Sequence, residues 1–596
     1  MATELISLPS QILNKRFPTL LKANSVSVRI KIKQKRGGRN MARTVSIGTQ
    51  NFEKIIINDC FYIDKTHFIK EWWESKDEVT LITRPRRFGK TLNMNMLERF
   101  WSIKYQGQGE IFENLKIWQE KKYRELQGTY PVIFISFAGI KANNYPDFVD
   151  QIFNIIEDLY TQHSYLKNSG ILEQNEKKYY ERIGKDMSNS DATLAIQRLC
   201  GYLSRYYHKK VIILLDEYDT PMQEAYIYGY WEDLVSFTRN LFNNTFKTNP
   251  YMERALMTGI TRISKESLFS DLNNLKIVTM TSDNYASCFG FTETEVFAAM
   301  DEFGMKNKEK AKQWYDGFTI GHFRDIYNPW SIINMLDDRS FKTYWANTSS
   351  NQLAGNLIRQ GSEDMKVKFE ELLSGKIINC RINEEIVYNQ LSHNEDAVWS
   401  LLLASGYLKI ERIHGRYYKL ALTNYETQLM FEGLVLDWFA EDSSSYNGFV
   451  RSLLKDDLKA MNAYMNRISE SMFSSFDGGR RPSGKTHPER FYHGFVLGLL
   501  VDLADRYIIT SNRESGFGRY DVLMEPKTNR YNGIIMEFKV HDPTDEGDLQ
   551  ETVQAALKQI NEKKYEQILL NHGVDQERIS KYGFAFEGKK VLIGKM

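Results

Sequence analysis

From Gly48 onward the chain alternates short continuous apolar runs with long stretches of helical periodicity. The runs VTLIT (79–83), PVIFISF (131–137), KVIILLD (210–216) and RALMTGI (254–260) are each long enough for one strand. Runs of this length without polar alternation suit strands buried on both faces, and their separation by helices predicts a parallel α/β sheet. The pattern then changes. Residues 283–348 are rich in aromatics and turn formers, as in WYDGF (314–318) and YNPWSI (327–332), and read as a helical lid or connector. Within a helical region over 349–473, VWSLLLASGYLKI (398–410) followed by YYKLALTN (417–424) suggests helix, strand and turn, a small winged-helix-like unit. The polar stretch SSFDGGRRPSGKTHPE (474–489) marks a flexible junction, after which a second α/β region continues to residue 596. The predicted organisation is an arm over 1–44, an α/β domain over 45–282, a connector over 283–348, the helical and winged-helix-like region, and a second α/β domain over 474–596.

Composition excludes several classes. The 596 residues suffice for several folded units at roughly 150 residues each. A hydrophobic fraction of 42% with only 12 Pro excludes a disordered or collagen-like chain. Lys+Arg 78 against Asp+Glu 76 leaves a net charge of +2, so any nucleic-acid contact must come from local patches. Cys60, Cys200, Cys288 and Cys380 form no C-x-x-C pair, which argues against a zinc ribbon or disulfide framework and for a reducing compartment. No apolar run approaches the roughly 18 residues that span a bilayer, so the expectation is a cytoplasmic protein without a membrane partner. The first forty residues carry nine basic side chains against Glu4 and no apolar core of signal-peptide type. They are expected to form a mobile arm; a transit peptide, a nucleic-acid tail or a true start at Met41 are the other readings.

The segment LITRPRRFGKTLNMNML sets an apolar strand, a basic loop and then Gly89-Lys90-Thr91 at the opening of a helix. Backbone N–H groups at a helix N-terminus and the Lys90 ammonium suit the β- and γ-phosphates of ATP, while the Thr91 hydroxyl suits Mg²⁺. The usual G-x-x-x-x-G-K-T pattern needs Gly where Arg84 stands, so this is a degenerate match, and a basic helix cap is the bland alternative. The expected nucleotide-contacting set is Arg84, Pro85, Arg86, Arg87, Phe88, Gly89, Lys90, Thr91 and Asp216. Asp216 and Glu217 end the buried strand VIILLD, where α/β sheets carry their functional groups. Asp216 would hold Mg²⁺ and Glu217 would orient the attacking water. After the strand RALMTGI, Thr258 and Thr261 could sense the γ-phosphate and Arg262 could supply transition-state charge, or simply pair with an acid.

A second constellation lies near the C-terminus, where Asp521 opens the apolar strand YDVLM and Glu537-Phe538-Lys539 closes GIIMEFK. Alternation along a strand puts Glu537 and Lys539 on one face, able to meet Asp521 across a hairpin. Two carboxylates and a lysine suit metal-assisted phosphodiester hydrolysis, with Mg²⁺ on Asp521 and Glu537 and Lys539 beside the attacking water. An ordinary hairpin with a cross-strand ion pair is the alternative. Arg513, Arg519, Lys527 and Arg530 could contact phosphate or be solvated.

Together TRPRRFGKT, LLDEYDTP, LMTGITRISKESLFSDLNNL and WYDGF resemble the AAA-ATPase-like family of bacterial proteins, in which RPRRFGK stands where an ordinary Walker A has its first glycine. The resemblance covers about residues 45–345, makes Arg84 part of that family's own pattern, and implies a P-loop ATPase core. The stretches ERFYHGFVLGLL, SNRESGFGRYDVLM, IIMEFK and ALKQINEKKY resemble the PD-(D/E)xK nuclease domain commonly found behind such ATPases, with Tyr520 at the proline position. That resemblance implies Glu489 as a third metal-site acid and Gln559 as a backbone or substrate contact; His493 receives no role. The fold class expected is α/β, a P-loop domain with a parallel sheet joined through a helical or winged-helix-like connector to a restriction-endonuclease-like domain. The expected function is an ATP-regulated, metal-dependent nuclease of bacterial defence or mobile-element type, using ATP and Mg²⁺ on nucleic acid, with homo-oligomer formation open. A nucleotide-switched signalling or binding protein with an inactive nuclease-like domain is the rival, and the middle segment could sense a protein or peptide ligand in either case.

Overall fold

The computed structural model describes residues 43–596 except 185–186, 248, 264–267, 270–271, 346–351, 374, 384–387, 392–393, 441–445, 473–495, 497–499, 501–502, 504–505, 512–513, 516–517, 520, 529, 542–545 and 588–589. The arm expected over 1–44 therefore lies outside the described residues except at its end, where Arg43 forms a bidentate ion pair with Glu302.

Five strands make a wholly parallel sheet: β1 (Val79–Thr83), β2 (Val132–Ser136), β3 (Val211–Asp216), β4 (Met252–Gly259) and β5 (Leu275–Val278), in the order β2-β3-β4-β1-β5. β1 and β3 are buried at every position, as continuous apolar runs between helical layers should be. The edge strand β5 is short and half-exposed, so its sequence LKIV carries little apolar signal. Parallel pairing brings the carboxyl ends of β1, β3 and β4 to one edge, with Thr83 opposite Gly259. That edge is where a ligand finds helix N-termini and loop side chains together.

The connector is less helical than its composition suggests. β6 (Phe291–Thr292), β7 (Phe318–Ile320) and β8 (Phe323–Tyr327) form an antiparallel sheet in the order β6-β8-β7 before the helix Pro329–Asp338. The signal was the alternation in FTIGHFRDIY, with Gly321 at the turn. Beyond it, β9 (Ile378–Arg381), β10 (Leu408–His414) and β11 (Tyr417–Leu422) form a second antiparallel sheet in the order β10-β11-β9. One continuous core runs from Phe52 to Phe431 through the parallel sheet, the β7–β8 hairpin and the β10-β11-β9 sheet.

The C-terminal sheet has the order β12-β15-β16-β17-β18 (Tyr507–Ser511, Val522–Pro526, Gly533–Val540, Ile579–Glu587, Lys590–Lys595); a short pair, β13 (Glu514–Ser515) and β14 (Gly518–Arg519), stands apart from it. Only the β16–β17 pair is parallel, and the helix Leu549–Glu562 lies in its crossover. The helices Tyr446–Leu454 and Leu458–Met472, placed by sequence in the middle region, share their core with this sheet. Asn462 brackets the backbone of Ile593 (2.8 and 2.9 Å) and Asn466 that of Val591 (3.0 and 2.6 Å). Polar composition put the boundary at 474; packing puts these two helices on the C-terminal side of it. Among the described residues no helix is long and apolar enough to cross a membrane.

Candidate functional site

β1 delivers the chain into the loop Arg84–Gly89, and the helix Lys90–Trp101 starts at once. Arg87 (φ 65°) and Gly89 (φ 82°) are both left-handed, a conformation glycine adopts without steric cost. Lys90 is almost buried and donates from Nζ to the carbonyl oxygens of Arg84 (3.0 Å) and Pro85 (2.9 Å). Burial lowers its pKa, while Glu217, Asp219 and Asp216 work to keep it charged.

Arg84, counted above among nucleotide contacts, turns its side chain elsewhere. It is wholly buried, and its guanidinium donates to the carbonyls of Thr83 (2.9 Å), Thr279 (2.8 Å) and Asn284 (3.0 Å). Desolvation lowers its pKa to about 10. Where an ordinary loop has glycine, this chain has a cation that ties the loop base to the end of β5, leaving only the Arg84 backbone facing Lys90. Arg86 reaches Gln223 (2.9 Å), Arg87 stacks 4.2 Å from the Trp330 ring centre, and Phe88 is buried edge-on to Phe318.

Asp216 is the last residue of β3 and fully buried. Its Oδ1 accepts from the Thr258 hydroxyl (2.5 Å), whereas its Oδ2 is buried with no hydrogen-bond donor. Burial raises the Asp216 pKa, and the Thr258 and Thr91 hydroxyls pull it down. A buried carboxylate oxygen without a donor, beside a threonine at a helix start, fits a divalent cation. Glu217 follows in a left-handed conformation (φ 52°) and lines a cleft of about 550 Å³ together with Arg86 through Thr91. Trp330 and Tyr407 form another wall of that cleft. Pro85, Asp216 and Arg262 do not line it; Arg262 sits near Tyr218 instead.

Asp219, which the sequence reading passed over, explains that placement. Wholly buried, it accepts from the backbone N–H of Ile260 (3.0 Å) and Thr261 (2.8 Å) and from the Thr261 hydroxyl (2.7 Å), pinning the turn after β4 to the turn after β3. The approach requires Gly259, where a Cβ would stand 2.6 Å from Tyr218. The second Asp of DEYD was the available signal.

In the C-terminal domain Glu537 lies inside β16 and is 2% exposed. Its Oε1 accepts from the Gln559 amide. Asp521 stands just before β15 and accepts through Oδ2 from the backbone N–H of Phe538 (2.8 Å). The Val522–Met536 pairing continues to set Asp521 across from Glu537. Lys539, two residues on, shares the face of Glu537, is partly exposed, and has no ion-pair partner among the described residues. Gln559 can reach because Gly583, paired with Glu537, admits the crossover helix; a Cβ there would stand 2.8 Å from the Val553 carbonyl. Tyr565 is buried beside this group, its pKa raised by burial and further by Glu537 and Asp521; sequence reasoning gave it no role. Glu489, His493, Arg513 and Tyr520 lie outside the described residues.

The Asp316 of WYDGF belongs to neither constellation described above. Its carboxyl is pushed up to about 7 by burial and by Asp325, with Glu293 in the same acidic group.

Comparison with known proteins gives a family match over each of the two regions. Residues 46–269 match the family model described as predicted AAA-ATPase, and residues 487–596 match the PD-(D/E)XK nuclease superfamily. The chain is also similar to an uncharacterized protein of the vnfD 5′ region of Azotobacter chroococcum mcd 1. The two are 24% identical over 539 residues, which cover 88% of this chain and 93% of that protein.

Proposed function

We propose that this chain, an AAA-ATPase-like domain joined to a PD-(D/E)XK nuclease superfamily domain, is a cytoplasmic ATPase that regulates its own metal-dependent nuclease, of bacterial defence or mobile-element type. The observation that carries the reading is the presence in one chain of two sites that each set a buried carboxylate near a lysine, at Asp216 with Lys90 and at Glu537 with Lys539.

In the first site Lys90 exchanges two neutral carbonyl acceptors for phosphate oxygens, a stronger, charge-assisted pairing. Thr91 and Asp216 would hold Mg²⁺, which supplies charge neutralisation at the phosphates. Glu217, on the cleft wall, orients water toward the γ-phosphate. In the second site Asp521 and Glu537 would hold Mg²⁺, Gln559 fixes the Glu537 carboxylate, and Lys539 positions or deprotonates water beside the scissile phosphate. The test is incubation of the purified full chain with plasmid, linear and single-stranded substrates, with Mg²⁺, with and without ATP. Metal-dependent cleavage that changes with ATP is expected. Binding without cleavage under any metal or nucleotide condition would replace the nuclease by the nucleotide-switched binding protein.

A further inference from the structure

The β10-β11-β9 sheet has two unlike faces. Residues paired directly across an antiparallel ladder point the same way, and every second residue of a strand repeats the face. Arg412 pairs with Lys419, which pairs with Asn379; His414 pairs with Tyr417, which pairs with Arg381. All six therefore share one face, and all six are exposed. The other face carries Ile378, Cys380, Ile410 and Leu420, buried in the core.

The exposed face holds three permanent cations, a histidine and a tyrosine, and no acid. Glu411, the one acid in the three strands, falls at the bulge and pairs with Lys409 (3.2 Å). Arg416, exposed in the two-residue turn with Gly415, adds a fourth cation. Arg412, Arg416 and Lys419 have no ion-pair partner among the described residues, and like charges set directly across a ladder are unfavourable. The Arg381 guanidinium is held over Tyr417, 5.2 Å from the ring centre, and donates to its hydroxyl (3.1 Å). In a chain of net charge +2 this is a local patch of the kind that phosphodiester binding needs. Strands about 4.8 Å apart, with like-facing residues about 6.5–7 Å apart along each, make a flat grid of cations. The exposed Tyr417 ring offers a surface for an unpaired base. The root of the hairpin touches the nucleotide site: Tyr407 lines the cleft, and a Cβ on Gly406 would stand 2.9 Å from Pro85.

We propose that this face grips the phosphodiester backbone of the nucleic acid that the C-terminal domain cleaves, an inference that rests on the nuclease reading. The test uses the full chain and the variant Arg412→Gln/Arg416→Gln/Lys419→Gln, three exposed substitutions. Fluorescence anisotropy is measured in EDTA on duplex DNA, single-stranded DNA and RNA across a salt series, with thermal melting to confirm folding. Each lost contact should shrink the log K against log[salt] slope by about 0.9 on a duplex or about 0.7 on a single strand. Affinity at ~0.1 M salt should fall at least about tenfold, and the probe with the larger change identifies the bound form. If wild type cleaves while the variant keeps wild-type slope and affinity on every probe, the grip is elsewhere and the nuclease reading stands. Wild type that neither binds nor cleaves any probe would overturn both.

Discussion

The two sites place similar groups by different devices. Asp216 and Lys90 come near one another because parallel strands end at one edge and a loop folds over it, and two carbonyls of that loop hold Lys90. Asp521, Glu537 and Lys539 meet because of ladder register, with no loop between the residues of β16. A one-residue slip there would turn Glu537 and Lys539 to the opposite face. The N-terminal lysine rests on loop carbonyls beside the cleft, whereas the C-terminal groups are set by the strand ladder itself.

The sharpest way to break this comparison lies in the C-terminal site. Lys539→Ala should lower cleavage by ~10²–10⁴-fold while metal binding persists, since an ammonium is not a ligand, and Asp521→Ala should lose both. Metal titration beside a gel cleavage assay reads the two patterns; a merely structural pair would leave both variants active. Next, Glu217→Gln should reduce phosphate release by ~10²-fold with ATP still bound, because shape is kept and only the water-orienting charge is lost. Wild-type turnover would remove Glu217 from the mechanism. Lys90→Ala should weaken ATP by ~10–100-fold in calorimetry, the worth of a charge-assisted pairing of about 1.5–3 kcal/mol. Unchanged affinity would refute the phosphate-binding loop.

Two stability measurements sharpen the contrast further. Arg84→Gly restores the ordinary motif yet strands the buried carbonyls of Thr279 and Asn284, so it should cost on the order of 2–4 kcal/mol in denaturant unfolding. The smallest effect concerns Asp316. Its folded-state pKa, about 7, lies above the ordinary carboxylate value of about 4, so the native state holds a proton that the unfolded chain releases. Stability should fall as pH rises from about 4 to about 7, and Asp316→Asn should flatten that slope and raise the melting temperature by a few degrees at pH 8.

Much of this arrangement was legible from the chain alone. Continuous apolar runs located β1 to β4, and the loop, helix start and strand-end carboxylates followed from them. Contacts between segments distant in sequence were not legible. That Arg84 faces carbonyls 195 and 200 residues away, or that Asp219 clamps the turn after β4, is a property of packing that no local pattern carries. Short strands such as β5 and β6 were missed because a few residues give little periodicity, and Arg262 was assigned by its distance from a strand end rather than by the turn that directs it.

The division of the interior into separate cores bears on how such a protein could be assembled by recombination. Among the described residues one core closes by Phe431 and another opens at Phe449, so a break between residues 440 and 446 separates no pair of these described core residues. A break at 474 would strip two helices from the C-terminal sheet, baring the apolar face that Met461 and Met465 cover. An exchange at 446 would therefore carry the described C-terminal core intact, whereas a chimera cut at 474 would leave that apolar face open to water.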